Sequence, residues 1–247
     1  ESTKQEVIDF YLDYGDRFLG KTTLQCKDTP AFIANRVGVY AIMLTLQLMQ
    51  EMELSVDEID TLTGPVMGRP KSATFRTADL VGLDVLAEVA NGLSKGLKDD
   101  EEKDIFKVPD FLNKMLENGW QGEKSGQGFF KKVKEEGESK IYTIDINTLE
   151  YHPQQKPSFQ TVEQAKQAGS LKNKLRTLLQ GQDKAGEFYR RFFNRFLAYV
   201  SKRIPEISDT IYQVDQGLRA GFDWKYGPFE IWDILGVEQI RDAMKEQ

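Results

Sequence analysis

The sequence predicts a mainly α-helical protein made of two related helical units, preceded by a helix–strand remnant and interrupted by a small β-hairpin. Three observations lead there. Apolar residues recur at helical spacing through most of the 247 residues, and only short stretches near 21–26 and 128–146 read as strands. The string Asp79-Leu80-Val81-Gly82-Leu83 returns as Asp233-Ile234-Leu235-Gly236-Val237. Each copy lies behind a long helix carrying an Asn-Arg pair, Asn35-Arg36 in the first and Asn194-Arg195 in the second.

Composition narrows the function. With 40% hydrophobic residues, 15 Phe and 3 Trp, the chain can bury a real core. A net charge of −6 argues against nucleic acid or an anionic membrane as a partner. The single cysteine, Cys26, cannot form an internal disulfide and suits a reducing compartment. No apolar run approaches the ~18 residues of a membrane span. Residues 1–20 are amphipathic and acidic, unlike a signal peptide, so a cytoplasmic location is expected. Because the chain opens on Glu1 without Met, it is expected to be a piece of a longer protein.

Along the chain, Val7, Tyr11, Tyr14 and Phe18 mark a helix over 3–18 that ends at Gly20. Thr22, Leu24 and Cys26 then alternate as a strand whose sheet must lie upstream. Thr29 as cap and Pro30 as first residue start a helix running to about 52. Its stripes Ile33/Val37/Leu44/Leu48 and Val39/Ile42/Leu46/Met49 make it apolar on two faces, so it is expected at the centre. Helices follow at about 55–63, 76–92 and 109–118, with Lys98 to Asp104 read as a solvated charged loop. A hairpin pairs 128–134 with 140–146, turning near Glu136-Gly137. The polar stretch 152–182 reads as linker plus exposed helix, and 183 onward as helix with a core stripe from Phe188 to Phe196.

Missing motifs matter equally. No Gly-x-Gly-x-x-Gly string opens a helix after a strand, and Gly126-Gln127-Gly128 leads into a strand instead. The one histidine, His152, sits beside Pro153 with no second His or Cys for a zinc site. No Gly-x-Ser-x-Gly is present. Taken alone, the chain carries no self-contained active site.

Three strings carry a resemblance. Lys27-Asp28-Thr29-Pro30-Ala31-Phe32-Ile33-Ala34-Asn35-Arg36-Val37 resembles the K-D-x-P-G-F-I-x-N-R signature of L-3-hydroxyacyl-CoA dehydrogenases. Phe111 to Met115 with Gly122-Glu123-Lys124-Ser125-Gly126-Gln127-Gly128-Phe129-Phe130 resembles that family's G-x-K-T-G-x-G-F-Y ending. Tyr226-Gly227-Pro228-Phe229-Glu230-Ile231-Trp232-Asp233 is similar to its M-G-P-F-E-L-x-D. Two departures stand out: Ala31 replaces the usual Gly, and Ser72 to Asp79 replaces G-P-F-E-L-x-D in the first copy.

The resemblance covers about residues 1–133 and 184–247, and is strongest toward the long, multifunctional β-oxidation enzymes. It implies helical domains of the 6-phosphogluconate-dehydrogenase C-terminal-like type. The expected division is a Rossmann-domain remnant at 1–28, a first helical domain at 29–135, hairpin strand and linker at 136–182, and a second helical repeat at 183–247. It implies NAD-dependent oxidation of L-3-hydroxyacyl-CoA to 3-ketoacyl-CoA in fatty-acid β-oxidation, with NAD held mainly by an N-terminal Rossmann domain outside this chain. By the same resemblance Asn35 serves the catalytic step near the substrate oxygen, and Lys124 binds the cofactor. Arg36 and Arg195 are read as structural, joining helix ends to carboxylates. The expected partners are an acyl-CoA and the chain's own Rossmann domain, with a homo-oligomer left open. Two other readings stay open: a non-catalytic helical docking or dimerisation module, and another β-hydroxyacid dehydrogenase.

Overall fold

A computed structural model describes residues 3–135 and 137–245, with the side chain of Lys245 left out. The 18-residue helix α2 (Ala34–Glu51) runs through the middle, and from Arg36 to Met49 nearly every side chain is buried. Both predicted stripes are thereby covered, as a helix apolar on two faces requires. Around it lie α3 (Val56–Thr63), α4 (Phe75–Val81), α5 (Leu83–Gly96) and α6 (Asp110–Glu117) from the first half. The second half adds α9 (Lys184–Lys202), α10 (Ile211–Phe222), α11 (Pro228–Leu235) and α12 (Val237–Lys245). Helices α9 and α10 both pack on α2. The Phe188-to-Phe196 stripe is buried in the shared core, as expected.

The internal repeat is visible in the geometry. Asp60 on α3 accepts the amides of Thr74, Phe75 and Arg76 at 3.1, 2.7 and 3.1 Å, closing the start of α4. Asp215 on α10 accepts those of Phe229 and Glu230 at 2.8 and 3.2 Å, closing the start of α11. Helices α4 and α11 then end on Gly82 (φ 106°, ψ 125°) and Gly236 (φ 98°, ψ 111°), a conformation that L side chains avoid. The Asn-Arg pairs do not repeat in the same sense. Asn35 lies in the first turn of α2 and is exposed, whereas Asn194 lies mid-way along α9 and is buried.

Several expectations are corrected. No strand forms over 21–26, because it has no sheet neighbour among the described residues; Thr23 Oγ1 instead donates to the Leu12 carbonyl at 2.9 Å. The first helix is α1 (Gln5–Asp13) followed by a π-helical turn, Tyr14–Phe18. Thr29 and Pro30 do not start α2: Ala31 and Phe32 adopt φ of 63° and 53°, left-handed values that postpone the helix to Ala34. The helix expected over 76–92 is two helices, α4 and α5, divided at Gly82.

The hairpin forms as β1 (Phe130–Glu135) and β2 (Glu138–Ile144), antiparallel with Phe130 opposite Thr143. Of its expected turn, Glu136 lies outside the described residues. A third strand, β3 (Tyr151–Pro153), pairs with β2 and places His152 opposite Thr143. The stretch 152–182 is no exposed linker. Its helices α7 (Gln160–Gln167) and α8 (Leu171–Gln180) bury Val162, Ala165, Leu175, Leu178 and Leu179. A polar composition concealed one narrow apolar stripe, which is all that a helix on the rim of a core needs.

The Lys98-to-Asp104 cluster is the largest correction. Asp100 is only 6% exposed and accepts from Arg36 Nη2 at 2.5 Å and from Tyr199 Oη at 2.9 Å. Arg203 Nη1 lies 3.1 Å from the same carboxylate, and Arg36 Nε donates to Tyr199 Oη at 2.6 Å. The Tyr40 and Tyr199 rings stack alongside at 3.6 Å. Arg36 is therefore structural, as expected, and so is Arg195, which reaches Gln47, Glu51 and Glu102. Removing one member of a buried charge cluster leaves the others uncompensated, at a cost of ~3–5 kcal/mol. Asp100→Ala should lower unfolding stability by about that amount in a urea titration. A loss under ~0.5 kcal/mol, the size expected of an ordinary surface change, would refute the central role given to this carboxylate.

Burial pushes the Asp60 carboxyl up to about 7, against three amides that favour its charge. An unfolded Asp titrates near ~3.9. Between about pH 4 and 7 the folded state therefore holds a proton that the unfolded state has released, and stability falls as pH rises. The stability of wild type relative to Asp60→Asn should accordingly decline from pH 4 to pH 7. A difference independent of pH would contradict the assignment.

Candidate functional site

The turn that displays Lys124 is built on Asp79. Near the end of α4, Asp79 accepts the amides of Phe129 and Phe130 at 2.8 and 2.9 Å. A Cβ at Gly128 would come within 2.2 Å of the Asp79 carboxylate, and one at Gly122 within 2.3 Å of its carbonyl oxygen. Both glycines are thus required by close approach. Ser125 Oγ closes the turn by accepting the Gln121 amide at 2.8 Å, and Phe129 is wholly buried. The glycine-rich string is a fixed turn on an aspartate, and Lys124 stands at its tip.

Lys124 does not project freely. Its Nζ reaches both carboxylate oxygens of Asp84, at 2.5 and 2.6 Å, with the lysine side chain 46% exposed. Asp84 lies in the first turn of α5, where a negative charge suits the helix dipole. The hydrogen bond from Lys124 holds the Asp84 carboxyl below its usual range. Gly82 is part of this arrangement, since its Cβ would meet Asp84 Oδ1 at 2.8 Å and Lys124 Nζ at 3.2 Å.

Asn35 lies in the first turn of α2, exposed, and its amide makes no side-chain hydrogen bond among the described residues. The sequence places it on the face of Val39, Ile42 and Leu46, where burial would be expected; instead its side chain is exposed, between the buried Ile33 and Arg36. Pro30, just before this turn, packs against Gly96 at the far end of α5. The structure therefore does not bring Asn35 and Lys124 into contact. Asn35 sits in the first turn of α2, while Lys124 sits on the turn built on Asp79 and pairs with Asp84 at the start of α5. Phe32, before α2, Leu80 and Val81 on α4, and Val85 on α5 are apolar and exposed.

The N-terminal segment shows the same property. Helix α1 buries no residue, while Phe10, Tyr14 and Phe18 stack in a ladder with ring centroids 5.6 Å apart. Among the described residues no group of His, Cys, Asp and Glu could hold a metal, and no helix is long and apolar enough to cross a membrane. Asp79 and Asp84 escaped the sequence reading as site residues. Their signal was present, in the acidic residues that flank Gly82.

Residues 32–132 match the family described as 3-hydroxyacyl-CoA dehydrogenase, C-terminal domain. This segment belongs to that family. A probable 3-hydroxyacyl-CoA dehydrogenase of Bacillus subtilis (strain 168) is 42% identical over 246 residues, covering 100% of this chain and 30% of the relative. A protein of Rickettsia prowazekii (strain Madrid E), provisionally named a fatty acid oxidation complex trifunctional enzyme, is 31% identical over 232 residues, covering 94% of this chain and 31% of the relative. The chain thus spans about a third of the length of these curated relatives. The crystal structure of 3-hydroxybutyryl-CoA dehydrogenase from Escherichia coli K12 substr. MG1655 has the same fold, with a TM-score of 0.64 at 16% identity over 99% of this chain and 61% of that one. Since that alignment takes in both halves, the paired helical arrangement is part of the shared fold.

Ala31, where the 3-hydroxyacyl-CoA dehydrogenase signature has Gly, adopts φ 63°. That conformation costs a non-glycine residue roughly 1–2 kcal/mol, partly offset by the greater freedom of Gly in the unfolded chain. Ala31→Gly should therefore raise stability by up to ~1 kcal/mol. Destabilisation in a urea titration would show the turn to be unstrained.

Proposed function

We propose that this chain is the C-terminal part of an NAD-dependent L-3-hydroxyacyl-CoA dehydrogenase acting in fatty-acid β-oxidation, and that it forms one wall of the acyl-CoA cleft. The observation that carries the reading is the free, exposed amide of Asn35 at the head of an otherwise buried helix. An amide can donate a hydrogen bond to a substrate oxygen without titrating, so it fixes geometry and stabilises charge developing there. Its Nδ2 would donate to the 3-oxygen while a base on the preceding domain takes the hydroxyl proton. NAD, when bound, supplies the acceptor for the hydride leaving C3.

The described residues fit only the edge of a dinucleotide site. Lys124, fixed by Asp84 and still partly exposed, can offer one ammonium donor to the cofactor. The cradle itself falls to an N-terminal Rossmann domain. The uncovered ladder on α1 and the exposed Phe32, Leu80, Val81 and Val85 support a covering domain of that kind. A docking module without catalysis would share those apolar faces, but it has no use for an unpaired amide beside them.

In the intact protein, Asn35→Ala should lower kcat for acetoacetyl-CoA reduction by ~100-fold or more with no change in Tm. Lys124→Ala should chiefly raise KM for NADH. The chain by itself should be silent and regain activity when its Rossmann domain is added. An unchanged kcat in Asn35→Ala removes that residue from the reaction, and activity of the chain alone overturns the reading.

A further inference from the structure

A cavity of about 800 Å³ lies between α3, the start of α4, the hairpin and the segment leading into α7. It contains neither Asn35 nor Lys124, and so does not depend on the dehydrogenase assignment. Lys71, Arg76, Lys131, Lys132, Lys156 and Lys166 all line it, although the whole chain carries a net charge of −6. Three carboxylates, Asp57, Asp60 and Glu123, also line it and are outnumbered by these cations. Asp57 is committed to Thr143 Oγ1 at 2.8 Å and the Gln155 amide at 2.9 Å. Asp60 is committed to the three amides opening α4. Glu123 pairs with two of the cations, 2.5 Å from Arg76 and 3.9 Å from Lys132.

Of the remaining cations, Lys166 pairs with Glu163 at 2.7 Å, and Lys131 Nζ lies over the Tyr151 ring at 4.0 Å. Lys71 and Lys156 have no ion-pair partner among the described residues. Phe130, Ile141 and Pro157 give the same cavity apolar wall. Its volume falls within the ~300–1,000 Å³ of small-molecule sites. Lysines at several angles suit a multiply charged oxyanion such as phosphate, and a concave shape in an acidic protein does not suit a nucleic-acid strand.

We infer that this cavity binds a phosphate-bearing ligand of nucleotide size, with Lys71 and Lys156 as its free cations and Phe130 and Ile141 against the apolar part of the ligand. Two sources share that chemistry: the nucleotide end of a coenzyme A thioester and a free adenine nucleotide. Recognition by exposed lysines is electrostatic, so binding weakens as salt rises.

The test is calorimetric titration of the intact protein, saturated with NAD to fill any dinucleotide site, with adenosine 3′,5′-bisphosphate and separately with coenzyme A. The variants are Lys71→Glu with Lys156→Glu, and the charge-preserving Lys71→Arg with Lys156→Arg. Binding of the bisphosphate should weaken at least tenfold in the Glu pair, survive in the Arg pair, and fall with added salt, while Tm stays unchanged. Parallel weakening of coenzyme A, with mutual competition, assigns the cavity to the thioester's nucleotide. Weakening of the bisphosphate alone assigns it to a free nucleotide. Absence of bisphosphate binding, or equal affinity in wild type and the Glu pair, overturns the inference.

Discussion

The Asp100 carboxylate is the point on which the arrangement of the two halves depends. It comes from the loop after α5, and it is shared by Arg36 at the head of α2 with Arg203 and Tyr199 at the end of α9. Three segments distant in sequence are therefore held at one buried atom group. In a low-dielectric interior no member can leave without stranding the others, so the cluster fixes how α9 crosses α2. The Tyr40–Tyr199 stack adds a flat contact with little freedom to slide. Because Arg36 directly follows Asn35, the cluster also anchors the turn that presents the candidate catalytic amide.

A second aspartate does for Lys124 what Asp100 does for Asn35. Asp79 takes the two amides that open the hairpin, and glycines at 122 and 128 permit the chain to approach it. The family's glycine-rich string thus has a structural explanation independent of any ligand. Lys124 stands at the tip of a turn that cannot rotate, and Asp84 fixes the direction of its ammonium. Asn35 and Lys124 are thus presented by separate elements, the first turn of α2 and the turn built on Asp79.

The repeat and the hairpin divide the labour differently. The repeated parts, with Asp60 and Asp215 closing α4 and α11 and with Gly82 and Gly236 ending them, make the core. The hairpin and the segment after it enclose the basic cavity against the first repeat. The concave surface thus lies where loops and the hairpin meet rigid helices, as is usual for binding sites.

The sequence by itself determined the helical class, the central position of α2, the hairpin and the glycine junctions, because these follow from local periodicity and from backbone angles that only certain residues adopt. It also determined which residues carry the family's signature, Asn35 and Lys124 among them. It did not determine where those side chains point. Asn35 reads as buried from its helical face and is exposed, because α2 begins at Ala34 after two left-handed residues. Asp100 reads as solvated from its charged neighbours and is buried, because its partners lie 64 and 103 residues away in Arg36 and Arg203. The strand read at 21–26 failed for a related reason, since a strand exists only where another strand accepts its hydrogen bonds. Only the tertiary structure decided burial, ion pairing and the shape of the basic cavity, since each depends on contacts between segments that local pattern cannot bring together.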